Sequence, residues 1–241
     1  MCETKATSIV DKTEFVHEIL SGPRPNIFLS RPRRFGQTLL IDTLEEAAVG
    51  RKEIFAGLAI DRLRKADEWP RFHVLRIGMT RFGNDPALLD GNIASFMHFF
   101  ASQKGFSITA QDSANSLAEV IETLSWNYAD IPIITNNIRT KDAVITDRSK
   151  IIVLIDEYDA PIINNIMNQD QLDIAKQTLH GFYNALKSCD SMIERVFIAG
   201  ITKFSQVSAF SVMNNLNDIT FQPRYATVCG FTIKEIEQSY S

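Results

Sequence analysis

Five aliphatic residues stand in an unbroken row at Ile151-Ile152-Val153-Leu154-Ile155, and two acids, Asp156 and Glu157, follow at once. A strand with one wet face alternates apolar and polar side chains, so a strand without alternation must be covered on both faces. Such strands belong in parallel sheets sandwiched between helices. Short apolar runs at 26–30, 73–77 and 196–200 read the same way. Between the runs, apolar residues recur every three or four positions: Leu39, Leu40, Leu44, Ala47 and Ala48 over 38–49, and Leu88, Leu89, Ile93, Phe96, Phe99 and Phe100 over 87–103. That period predicts helices there and over 12–20, 114–128 and 170–188. Ile131-Pro132-Ile133-Ile134 is open between edge strand and loop. Alternating strands and helices predict an α/β domain with three layers and a mostly parallel central sheet.

Composition sets limits on function. A content of 45% hydrophobic and 22% charged residues suits a globular chain with a sizeable core. The net charge of −4 argues against a broad footprint on nucleic acid, which is left open because Arg31, Arg33 and Arg34 form a local basic patch. Cys2, Cys189 and Cys229 are odd in number and far apart, which favours a reducing interior. Charged residues throughout the first twenty positions exclude a signal-peptide core, and no apolar run could span a bilayer. The expectation is an intracellular, cytoplasmic protein with no membrane association.

The segment between the first strand and the next helix is RPRRFGQT, residues 31–38. A phosphate-binding loop occupies this place as Gly, four residues, then Gly-Lys-Ser/Thr. Here Arg31 takes the first Gly position and Gln37 the lysine position, while Gly36 and Thr38 are kept. Amides that open a helix attract phosphate whatever the side chains. Thr38 has the place of a hydroxyl that holds Mg²⁺, and Asp156, about 120 residues later, ends a buried strand where a carboxylate can hold the metal's water shell. Glu157 can orient or deprotonate a water. A neutral amide in place of a charged donor weakens binding roughly tenfold and a transition state more. An unliganded basic loop and a solvated strand end are the plainer alternatives for the two segments.

Several blocks carry a family resemblance: VDKTEF (10–15), RPRRFG (31–36), VLIDEYDAPI (153–162), IAGITKFS (198–205), NNLNDIT (214–220) and RYATVCGFT (224–232). Together, and in this order, they are similar to the AAA-ATPase-like proteins, relatives of the AAA+ and STAND ATPases. The resemblance implies a three-layer P-loop NTPase fold that takes ATP and Mg²⁺. It places Arg33, Arg34, Phe35, Gly36, Gln37 and Thr38 around the nucleotide, Thr38 and Asp156 on the metal, and Glu157 at the attacking water. It also places Thr202, beside Lys203, as a sensor of the γ-phosphate, with an ordinary strand-end turn as the alternative. Asp11-Lys12 either lies beside the base or caps the first helix; Arg224 either senses phosphate or faces the surface. Family loops typically end in Phe-Gly-Lys-Thr, so Gln37 departs from the pattern. Relatives often continue into a lid and a PD-(D/E)XK nuclease-like domain. Residues 1–241 are expected to be one P-loop domain without either, and so without nuclease activity.

Three functions follow as expectations. The preferred one is an ATP-binding domain with weak or absent hydrolysis. The others are a nonenzymatic interaction module on a degenerate fold, and an active ATPase in which Arg33 or Arg34 replaces the lost cation. A protein partner or oligomer is compatible with each.

Overall fold

The aliphatic run forms β3 (Ile151–Asp156), and all six of its residues are buried. The computed structural model describes residues 10–64, 69, 71–130, 151–203, 213 and 215–240. The Ile131–Ile134 segment and parts of the 198–205 and 214–220 blocks lie outside them. β3 sits inside a five-stranded sheet with β1 (Asn26–Ser30), β2 (His73–Gly78), β4 (Ile193–Gly200) and β5 (Asn217–Asp218), in the order β2-β3-β4-β1-β5. Every pairing is parallel, as the uninterrupted apolar strands require.

Two cores result, one on each face. Alternate strand residues Ile27, Leu29, Val74, Ile152, Leu154, Phe197 and Ala199 pack under α1 (Thr13–Ser21), α2 (Gln37–Ala48) and α3 (Ala59–Leu63). Their neighbours Phe28, Leu75, Ile77, Ile151, Val153, Ile155, Val196 and Ile198 face the other side. That side is covered by α4 (Pro86–Gln103), α5 (Ser113–Asp130), α6 (Ala160–Asn164) and α7 (Gln169–Ser188). The last helix is α8 (Ile233–Tyr240). No helix among the described residues is long and apolar enough to cross a membrane.

Two strands depart from the apolar pattern. β4 begins at Ile193, earlier than the apolar run, because polar Arg195 belongs to it. The Arg195 guanidinium donates to the carbonyls of Leu20, Gly22 and Arg24, the last two at 2.6 and 3.0 Å, and so fixes the turn from α1 into β1. β5 is two polar residues on the sheet edge, too short to leave a period.

Because all strands run the same way, Ser30, Gly78, Asp156 and Gly200 end on one rim of the sheet. Phe28 anchors that rim from below. Its ring is buried and meets Tyr158 edge-on at 5.4 Å. Phe28→Ala is expected to cost about 3–5 kcal/mol of unfolding free energy, measured by urea titration. A loss under about 1 kcal/mol would show that the site can close over the cavity.

Candidate nucleotide-binding site

After β1 the chain turns through residues 31–36 into α2 with two left-handed residues, Arg34 at φ 64° and Gly36 at φ 89°. A Cβ on Gly36 would find room but would be strained at that φ, so glycine shapes the helix entry. Gly36 offers no capping side chain, and the first turn of α2 holds no acid. The first amides of an α-helix have no intrahelical acceptor, so this end presents open donors and the positive end of the helix dipole. One turn residue then reaches across the sheet. The Thr38 hydroxyl donates to Asp156 Oδ2 at 3.0 Å, although β4 separates β1 from β3.

Asp156 is buried at the end of β3. Burial pushes its carboxyl above the ordinary carboxylate range; the Thr38 hydrogen bond pulls it back, and the neighbouring Glu157 charge pushes the same way as burial. Glu157 leaves the strand at φ 51°, a left-handed conformation that re-aims its side chain away from the buried sheet. Its carboxylate accepts from the Thr80 hydroxyl, which lies just past the end of β2. Gly78 and Asp156 are partners in the β2–β3 register, which brings Thr80 to Glu157. Neither strand announces that partnership in sequence.

Nothing in the VLIDEYDAPI block assigns Asp159 a partner either. Its buried carboxylate accepts from the Ile201 amide at 3.1 Å and from both the amide and the hydroxyl of Thr202 at 2.6 Å. Thr202 therefore stands on the rim after β4 with its hydroxyl on Asp159, and Tyr158 Oη donates to its carbonyl at 3.1 Å. This close packing needs Gly200, since a Cβ there would come within 2.6 Å of Tyr158 and Asp159 atoms.

The basic loop divides in two. Arg31 turns away, donating to the carbonyls of Ser30, Thr220 and Tyr225 at 2.7–2.9 Å, and pins the end of β1 to the segment after β5. Arg33 and Arg34 are exposed and meet no carboxylate among the described residues. The Gln37 amide also turns back, donating to Gly200 O at 2.8 Å and, at 3.4 Å, to Leu29 O. Arg224 forms a surface ion pair with Glu18 at 2.6 Å.

Beside the loop opens a cleft of about 710 Å³ between α1, α2 and the 228–236 segment. Phe35, Leu39, Ile54, Phe55, Leu58, Val228 and Phe231 make its wall mostly apolar. Cys229 lines it too, its thiol pushed up to about 11 by burial. Asp11 and Lys12 lie at its edge. Asp11 caps α1 through the Thr13 amide at 2.9 Å and also takes the Ala59 amide at 2.7 Å. Lys12 pairs with Glu235 of α8 at 2.5 Å.

The family described as "Predicted AAA-ATPase" matches residues 2–210. An uncharacterized protein in the vnfD 5′ region of Azotobacter chroococcum mcd 1 is 32% identical over 238 residues. That alignment takes in 96% of this chain and 41% of the relative, so the chain spans well under half of the relative's length. A solved chain from Drosophila ORC bound to DNA superposes with a TM-score of 0.41 at 14% identity, covering 86% of this chain and 40% of the other. With residues 2–210 matched, the chain belongs to the AAA-ATPase-like family.

Proposed function

We propose that this chain binds ATP with Mg²⁺ and hydrolyses it slowly or not at all. The meeting of Thr38 and Asp156 at 3.0 Å, beside the open first turn of α2, is the observation that carries this reading. A hydroxyl and one carboxylate are hard oxygen donors of the kind Mg²⁺ takes alongside phosphate oxygens. Thr38 and Asp156 would hold the metal, which when bound neutralises phosphate charge. Arg33, Arg34, Phe35, Gly36 and Gln37 form the loop around the phosphates, and the apolar cleft takes the base. Glu157 orients or deprotonates water, with Thr80 setting its direction. Thr202 reads the γ-phosphate if its hydroxyl exchanges Asp159 for a phosphate oxygen.

Gln37 decides between binding and turnover. Its amide is spent on the Gly200 and Leu29 carbonyls, which leaves that position without a charged donor toward the phosphates. The same observation favours the second reading, an interaction module that has left nucleotide chemistry. Isothermal titration of the chain with ATP, with and without Mg²⁺, separates the two. Mg-dependent heat with little phosphate release supports the proposal. No binding by this chain or by Gln37→Lys leaves only the scaffold.

Acid should expose the role of Asp156. Its carboxyl is raised by burial first and by the Glu157 charge, so it takes up a proton at higher pH than a free Asp. Protonation removes the metal's anionic ligand, and Mg-dependent binding is expected to fall away above pH ~4, earlier than an ordinary Asp would dictate. Binding measured from about pH 7 down to about pH 4 tests this. A profile that stays flat, or one kept by Asp156→Asn, removes Asp156 from the metal site.

A further inference from the structure

On the helical face away from the nucleotide cleft, a groove of about 420 Å³ lies between the turn Met79–Phe82 and one side of α4. Arg81, Phe82, Asn92, Ser95, Phe96 and Phe99 form it. The Arg81 guanidinium lies 4.2 Å from the centre of the Phe96 ring. The ring face attracts the cation, and the guanidinium still has N–H donors to offer a planar anion. No described carboxylate takes those donors. The acids nearest in sequence are engaged: Asp85 caps α4 through Ala87, and Asp90 accepts from Ser113. Asn92 is held by the Phe82 carbonyl at 2.9 Å, so the floor is fixed. Phe99 stands 58% exposed at the rim, a large ring left in water.

We propose that this groove docks an acidic, apolar peptide segment of a partner protein, with a Glu or Asp side chain on Arg81 and an aliphatic or aromatic neighbour on Phe96 and Phe99. Charge complementarity selects the carboxylate, since a guanidinium offers two parallel donors at carboxylate spacing. The aromatic floor selects an apolar neighbour. A nucleic-acid strand fits less well: it would need a row of cations along its backbone, and the groove has one. An occupant would sit one residue from Thr80, whose hydroxyl holds Glu157.

The test is binding to an array of hexapeptides that place Glu or Asp beside Leu or Phe, with matched Gln and Lys arrays, using the full chain without nucleotide. Independence from nucleotide keeps the result separate from the ATP reading. The chain should prefer the acidic series. Fluorescence anisotropy with the strongest acidic peptide should then show about tenfold weaker binding for Arg81→Gln, and weaker binding for Phe99→Ser. Arg81→Glu should transfer the preference to the Lys series. Lys176→Gln, at a partly exposed cation on α7 that pairs with Asp173, should bind as the parent does. Circular dichroism confirms that each variant is folded; Arg81 and Phe99 are surface residues, so folding is expected. Equal binding to the acidic, Gln and Lys series overturns the proposal. So does binding that survives Arg81→Gln, or tighter Arg81-dependent binding to a dT20 oligonucleotide than to any peptide.

Discussion

Replacing Gln37 by lysine is expected to tighten Mg-dependent ATP binding about tenfold and to raise phosphate release about a hundredfold. The first figure is the difference between a charge-assisted and a neutral hydrogen bond to phosphate. The second is larger because negative charge on the transferring group must be met in the transition state by donors already in place. The structure lets the side chain leave its present position cheaply. Gly200 O, which Gln37 donates to, also accepts the Arg31 amide at 3.1 Å, and the second contact, to Leu29 O, is long at 3.4 Å. Withdrawing the amide therefore orphans no strongly held acceptor. A lysine amine is free to swing toward the open end of α2, where the helix start and Thr38 already converge on Asp156. Titration calorimetry and a phosphate-release assay on both proteins decide the matter. Equal release by parent and variant would mean that Arg33 or Arg34 already supplies the cation. A variant that gains stability but no affinity would mean that the lysine stays on the strand carbonyls.

How far the site could be read in advance depended on which interactions leave a local mark. Continuous burial leaves one: Ile151–Ile155 could only be a strand covered on both faces, and the sheet is parallel throughout. Loop position leaves one too: RPRRFGQT and Asp156 each stand at a strand end, and Thr38 at the start of α2 donates to Asp156 at the end of β3. Side-chain direction leaves none. Gln37 stands in sequence among the loop residues expected around the nucleotide and Arg31 in the same basic patch, yet both spend their donors on carbonyls of the chain itself. Their acceptors, near 200 and 220, are set by strand order. Thr80 and Asp159 were invisible for the same reason. Thr80 reaches Glu157 only because β2 lies in register beside β3, and Asp159 reaches Thr202 only because β3 lies beside β4. Asp11 accepts the Thr13 amide at the start of α1, and Asp11 and Lys12 both line the cleft.

In the Gln37→Lys protein, Glu157→Gln is expected to lower phosphate release by about 10²–10⁴-fold, the span of a positioned general base, while leaving ATP affinity within about threefold. The added lysine matters to the design, because it lifts turnover far enough for such a loss to be read. Glutamine keeps the length of the side chain and can still accept from the Thr80 hydroxyl, so the geometry at φ 51° is preserved while the basic oxygen is removed. Affinity should hold because Glu157 is assigned to water, and the metal is assigned to Thr38 and Asp156. Removing the Glu157 charge has a second consequence. That charge is one of the influences raising the Asp156 carboxyl, after burial itself. Without it, Asp156 should ionise at lower pH, and the acid limb of Mg-dependent binding should move down in the Glu157→Gln protein. A structural role for Glu157 predicts a different pattern, in which affinity and thermal stability fall along with turnover. Thr80→Val separates the two further. It deletes the hydroxyl that holds Glu157 but not the carboxylate, so release should change by only a few-fold in either direction. A Thr80→Val protein as inactive as Glu157→Gln would move the essential group from the acid to the hydroxyl and unseat Glu157 as the base.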